Sequence, residues 1–301
     1  MRPDGLYLAL RDIPASELRD AFMQETVARV AAAESFVHVA RHDLGKVCRD
    51  SAPAGIIFHV ARCGSTLIAQ LLKQHQDCVV YAEPLPINEL LLPPYTCPRH
   101  ELVAALRSLG AAFAQHAGKP YVLKLSSWNT LFCDLVAEAF PDTPWILSLR
   151  DPVEVGVSLL AQPPGWMQGA TGPGAELRRR VDPEAASRSP EDFVARLYGA
   201  FCEAACRLDP NRGKLVRYEA LPAAVWEAVA PHFSLRVEED IRALMTQAAR
   251  VNSKAPVGQA EQYSSDTEQK QAAAPAALRQ AIETLAAPSL RRLEQLHALR
   301  S

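Results

Sequence analysis

The segment Val60-Ala61-Arg62-Cys63-Gly64-Ser65-Thr66-Leu67 brings together a cation, a glycine and two hydroxyls. It follows Ile56-Ile57-Phe58-His59-Val60, a compact β-rich run, and leads into a stretch that sets Leu67, Ile68, Leu71 and Leu72 on one helical face. A strand that turns directly into a helix aims free backbone N–H groups and the positive end of the helix dipole at one point. Gly64 lets an anion approach the chain, Ser65 and Thr66 offer donors, and Arg62 supplies charge. The chemistry suggested is phosphate binding. Gly-Ser-Thr is also an ordinary helix start and Arg62 can be merely solvated, so the turn alone leaves both readings open.

The turn departs from the Walker A pattern G-x-x-x-x-G-K-[ST], because Ser65 stands where the lysine belongs and the basic residue, Arg62, precedes the glycine. A magnesium-dependent NTPase is disfavoured. A second element, Leu147-Ser148-Leu149-Arg150-Asp151-Pro152, ends a strand in arginine, and Ser158 lies on the helix that follows. Asp151 is a plausible cap for that helix, with Pro152 at its first position. Arg150 can make bidentate contacts to a phosphate, although without the first motif a salt bridge with Asp151 or another surface acid is the favoured reading.

Taken together, the Arg62-Cys63-Gly64-Ser65-Thr66 turn and the R-D-P-x-x-x-x-x-S element Arg150 to Ser158 resemble the two nucleotide signatures of sulfotransferases that use 3′-phosphoadenosine 5′-phosphosulfate (PAPS). The arginine in the first loop is more similar to the tyrosylprotein and carbohydrate branches than to the lysine-bearing cytosolic branch. The resemblance runs in pieces from about Ile56 to about Lys254. It implies that residues 62 to 67 hold the 5′-phosphosulfate and that Arg150 and Ser158 hold the 3′-phosphate, within a P-loop-like fold. Tyr218-Glu219 with Leu221 is similar to the family's Y-E-x-L element, and Ser253-Lys254 to a late loop that closes over the phosphates; a core aromatic and a solvated lysine are the plainer readings. Glu83, in Tyr81-Ala82-Glu83-Pro84, resembles the catalytic glutamate of the tyrosylprotein branch, and an exposed loop acid is the alternative. His59 is a weaker base, since mid-strand residues of a parallel sheet are usually buried. Lys124 is similar to the lysine of a K-[TD]-P element, although Leu125-Ser126 replaces the expected pair; Ser126 or Ser127 could add a hydrogen bond. Cys63 is expected either to have a lowered pKa beside Arg62 and the helix end or simply to fill a variable place.

Such chemistry needs a proton acceptor for a hydroxyl or amine and electrostatic support for the departing phosphate, and the family implied uses no metal. The acceptor is expected to be a small molecule, carbohydrate or peptide. An ATP- or GTP-dependent small-molecule kinase and a non-catalytic nucleotide-binding protein are the alternatives.

The elements that must position these groups alternate between strand and helix patterns from residue 55 onward, with further short apolar runs at Cys78–Tyr81, Tyr121–Leu125, Trp145–Leu149 and Lys214–Tyr218. Helical patterns fall between them, among them Glu101–His116, Leu131–Phe140, Pro152–Leu160 and Asp192–Leu208. That alternation predicts an α/β fold of three layers, a mainly parallel sheet with helices on both faces and a crevice at the carboxyl ends of its strands. Residues 1–50 read as a small strand-helix-strand extension and 51–301 as the main domain, with Gln162 to Pro190 as a lid loop and Ser253 to Pro275 as a second irregular tract.

The chain has 301 residues, 49% hydrophobic and 22% charged, with 32 Lys and Arg against 34 Asp and Glu. A formal charge of -2 gives no general attraction to nucleic acid or an anionic membrane, so any anion site must be local. No stretch approaches the roughly 18 apolar residues of a membrane span. Met1 to Arg11 lacks the layout of a signal peptide, and the seven cysteines form no CxxC pair. Reduced thiols and a cytoplasmic setting are expected; the oligomeric state is not legible.

Overall fold

The computed structural model describes residues 7–10, 13–30, 37–40, 51–92, 98–168, 171–251 and 266–298. Strands β1 (Tyr7–Leu10) and β2 (Val37–Ala40) pair antiparallel. Five more strands, β3 (Gly55–His59), β4 (Val79–Ala82), β5 (Tyr121–Lys124), β6 (Trp145–Leu149) and β7 (Gly213–Arg217), form a second sheet. It is parallel throughout, in the order β4-β5-β3-β6-β7.

The side-chain period of two divides the interior into two cores. Ile56 and Phe58 of β3, Tyr81 of β4, Leu123 of β5 and Leu147 of β6 face one core, which includes buried residues of the helices Arg99–Ala117 and Pro190–Ala205. Ile57, Val80, Val122 and Ile146 face the other, under the helices Ser65–Leu72 and Glu239–Ala248. Strands buried on both faces are continuous apolar runs in sequence, as β3 to β6 are. The expected three-layer α/β architecture is therefore observed. From β3 the chain builds β4 and β5 on one side and β6 and β7 on the other, so a crevice opens beyond the carboxyl end of β3.

Gly55, at the start of β3, lies against the ring of Phe233: a Cβ at this position would stand 2.3 Å from the ring carbons. Replacing Gly55 by alanine is expected to cost about 1–3 kcal/mol through overpacking, measured by urea denaturation. A change within about 0.5 kcal/mol, the range of ordinary surface substitutions, would mean that the ring can step aside.

Several sequence expectations need correction. Gln162 to Pro190 is not one long loop, because its described part holds the helices Gly165–Gln168 and Gly172–Val181. Within it Arg178 stacks 4.1 Å over Phe193, and Arg180 lies 4.2 Å over Phe132 and donates to the Leu131 carbonyl. Their long side chains cover apolar surface. The helix expected from Leu131 begins at Cys133, after a 3₁₀ turn over Ser127–Phe132. In the tract from Ser253 to Pro275, the described part contains the helix Thr267–Ala273, which packs against the helix Pro152–Ala161. Among the described residues no helix is long and apolar enough to cross a membrane.

Candidate functional site

The turn after β3 contains two residues in the left-handed region, Arg62 at φ 60° and Gly64 at φ 82°. This alternation curls the backbone into a concavity suited to an anion, and Gly64 caps the helix Ser65–Leu72. Glycine is required here twice over. Besides the positive φ, a Cβ at position 64 would lie 2.7 Å from Leu221 and 2.9 Å from the Tyr218 ring. The Ser148 hydroxyl, on β6, donates to the Cys63 carbonyl at 3.1 Å and ties the turn to the sheet. The Arg62 guanidinium donates to the Gln162 carbonyl at 2.9 Å.

Arg150 follows β6 directly. Asp151 caps the next helix by accepting from the backbone N–H groups of Val153 and Glu154, as the sequence suggested. Arg150 does pair with acids, though not with Asp151. Its Nε donates to Glu154 at 2.6 Å, one helical turn on, and its Nη2 donates to Asp266 at 2.6 Å. The guanidinium stacks 4.0 Å over the Tyr218 ring, and Nη1 lies 3.5 Å from the Arg62 carbonyl. Tyr218 thus sits between Gly64 and Arg150 and joins the two arginine-bearing loops. Ser158 reaches the cavity wall, but its hydroxyl donates to the Glu154 carbonyl of its own helix.

Glu83 follows β4 with φ 54°, a strained conformation for a residue with a side chain. Its N–H donates to the Lys124 carbonyl at 2.6 Å. Its carboxylate is ion-paired with Lys124 and accepts from the Ser126 hydroxyl at 3.1 Å. Lys124 is 1% exposed and Glu83 26%, so the acid faces the cavity and the lysine supports it from beneath. Burial pushes the Glu83 carboxyl up, but the Lys124 charge and the hydrogen bonds from Lys124 and Ser126 outweigh this and hold it below the ordinary value. It is a carboxylate at neutral pH.

His59 is nearly enclosed and lies 4.0 Å from Glu83. Desolvation, reinforced by the Lys124 charge, lowers its pKa to about 3, so the ring is neutral. Its ring nitrogens lie 3.1 and 2.8 Å from the carbonyls of Val60 and Leu125; the neutral ring can donate to one of them, and it also lines the cavity. Of the two readings of Cys63, the lowered pKa is overturned. The thiol is buried, and desolvation raises its pKa despite the Lys124 charge.

These groups share one cavity of about 840 Å³. Arg62, Cys63, Gly64, Ser65, Thr66, Leu67, Glu83, Lys124, Arg150, Ser158 and Tyr218 all line it. Ser253 and Lys254 lie outside the described residues. The sequence reading missed Asp266, Lys270 and Phe22, which also line the cavity; Phe22 places its ring 5.3 Å from the Lys124 ammonium group. Only Glu154 carried a usable signal, its position four residues after Arg150 on a helix start. Among the described residues no three His, Cys, Asp or Glu side chains converge as a metal site.

No protein-family profile and no curated protein matches the sequence. Solved structures with a similar shape include a sulfotransferase domain from the curacin biosynthetic pathway, 13% identical with a TM-score of 0.48 over 79% of this chain and 98% of that one. A sulfotransferase domain from the Synechococcus PCC 7002 olefin synthase is 16% identical with a TM-score of 0.43, covering 83% and 95% of the two chains. A sulfotransferase from Alicyclobacillus acidocaldarius is 16% identical with a TM-score of 0.42, covering 82% and 96%. Likeness this distant says nothing about catalysis, and the functional reading below rests on the residues of the cavity.

Proposed function

We propose that the protein is a sulfotransferase that moves the sulfuryl group of PAPS to a hydroxyl or amine on a small-molecule, carbohydrate or peptide acceptor. The observation that carries this reading is that the Arg62 turn and the Arg150 strand end open onto one cavity whose wall also holds the Glu83–Lys124 pair. Two cationic loops joined through Tyr218 suit a nucleotide with anionic groups at both ends.

In this reading the turn from Arg62 to Leu67 cradles the 5′-phosphosulfate, and Arg150 with Ser158 takes the 3′-phosphate. Glu83 accepts the proton of the acceptor hydroxyl as its oxygen bonds to sulfur. The bond from sulfur to the bridging oxygen breaks, and its electron pair leaves on the 5′-phosphate. Lys124 keeps Glu83 ionised and adds positive charge beside the reacting group. Most of the rate gain comes from positioning and electrostatics.

Thermal denaturation with adenosine 3′,5′-bisphosphate, and separately with ATP and magnesium, tests the reading. The bisphosphate at a hundredfold its dissociation constant is expected to add about 2.7 kcal/mol of stability. Stabilisation by ATP with magnesium alone would overturn the proposal in favour of a kinase.

A further inference from the structure

The cavity already contains an anion at the place this reading gives to the 3′-phosphate. Arg150 binds two carboxylates that differ in kind. Glu154 has a side chain only 3% exposed and is held from several sides, with the Thr267 hydroxyl at 3.2 Å and the Gln271 amide at 3.3 Å. Asp266 is 44% exposed. One Asp266 oxygen accepts from Arg150 at 2.6 Å, and the other pairs with Lys270 at 2.6 Å. Asp266 is also the cap residue of the helix Thr267–Ala273, yet its side chain makes no capping hydrogen bond. Aspartate is favoured at that position because it can accept from the first N–H groups of a helix. Here it spans two cations instead, one oxygen on each, as a bound phosphate would. Asp266 and Lys270 both line the cavity.

We propose that Asp266 is an internal stand-in for the nucleotide's 3′-phosphate, that Lys270 is the second cation of this subsite, and that the donor binds by exchange with the Asp266 carboxylate. The inference rests on the PAPS reading above. Exchange gives the subsite its selectivity. While Asp266 is in place, Arg150 and Lys270 are neutralised by Asp266 and Glu154; once it leaves, uncovered positive charge faces the cavity. A dianionic phosphate can satisfy both cations, whereas a nucleotide without a 3′-phosphate gives nothing in return for displacing the carboxylate. The affinity observed is that of the open subsite reduced by the fraction of molecules in which it is open. Asp266 therefore weakens binding of the correct donor while Lys270 strengthens it.

Calorimetric titration with adenosine 3′,5′-bisphosphate and with adenosine 5′-monophosphate tests this in the full chain and in Asp266→Asn, Asp266→Ala and Lys270→Gln. Both Asp266 variants are expected to bind the bisphosphate about tenfold more tightly and the monophosphate unchanged, and Lys270→Gln to bind the bisphosphate about tenfold more weakly. Melting curves of each variant confirm that the fold is intact; because the Asp266 side chain caps nothing, both Asp266 variants should fold. Wild-type binding of the bisphosphate with no gain in either Asp266 variant would overturn this inference and leave the sulfotransferase reading standing. An equal gain for both nucleotides would also overturn it, since it would report only a change in general charge. Failure of the bisphosphate to bind any of the four proteins would overturn the PAPS reading, and this inference with it.

Discussion

Replacing Glu83 by glutamine is expected to lower turnover by about 10²–10⁴-fold while nucleotide binding persists, the usual contribution of a positioned general base. Glutamine keeps the shape of the side chain and can still accept from Lys124 and Ser126, but it cannot take the acceptor's proton. The comparison with Glu83→Ala separates chemistry from architecture. Both variants remove the counter-charge of the Lys124 ammonium group, 1% exposed, but alanine also removes its hydrogen-bond acceptor, and losing a buried partner outright commonly costs about 3–5 kcal/mol. Glu83→Gln should lose activity with a smaller change in stability, and Glu83→Ala should lose both. Stopped-time assays with PAPS and an identified acceptor, run beside urea denaturation, provide the two readouts. Wild-type turnover in Glu83→Gln would remove this residue from the base role. The pH dependence has a defined sign as well. Since Glu83 is held below its ordinary value of 4.5, its ionised form and the stability of its ion pair are fully present above that pH and are lost as pH falls through the depressed value. The acid limb of kcat/KM should therefore lie below about 4.5, and an acid limb near neutrality would point to another base.

The second large effect is at Arg150, and it involves the fold as well as the ligand. Arg150 and Glu154 are 4% and 3% exposed, so Arg150→Ala strands a carboxylate in the interior and is expected to cost about 3–5 kcal/mol. The Thr267 and Gln271 contacts to Glu154 compensate only in part. The double variant Arg150→Gln/Glu154→Gln removes both charges and should recover much of that stability. Discrimination between adenosine 3′,5′-bisphosphate and 5′-monophosphate should nonetheless fall by about tenfold or more in both variants, because neither has a guanidinium at the subsite and only Lys270 remains there. Denaturation measures the first effect and calorimetry the second. Retained discrimination in the stable double variant would place the 3′-phosphate pocket elsewhere.

The sheet was legible because β3 to β6 are buried on both faces and so appear as short apolar runs, Ile56 to Phe58 and Trp145 to Leu149 being the plainest. The strand-to-helix turn at Arg62 and the Asp151 cap were legible for a related reason: backbone geometry there demands particular residue types, glycine at a positive φ and an oxygen acceptor at a helix start. The contacts that complete the cavity were not. Asp266 reaches Arg150 across 116 positions, and no local pattern encodes a pairing at that distance. Of the two readings of Cys63 the lowered pKa failed, because its burial, which sequence does not supply, raises the pKa. The segment from Gln162 to Pro190 misled through composition: its glycines and prolines start short helices rather than preventing them.

The Tyr218 ring lies under the Arg150 guanidinium, and its edge is what a Cβ at position 64 would meet. One side chain therefore couples the glycine of the first turn to the arginine of the second, and a larger residue at position 64 would push on the ring that Arg150 stacks upon before it reached any ligand.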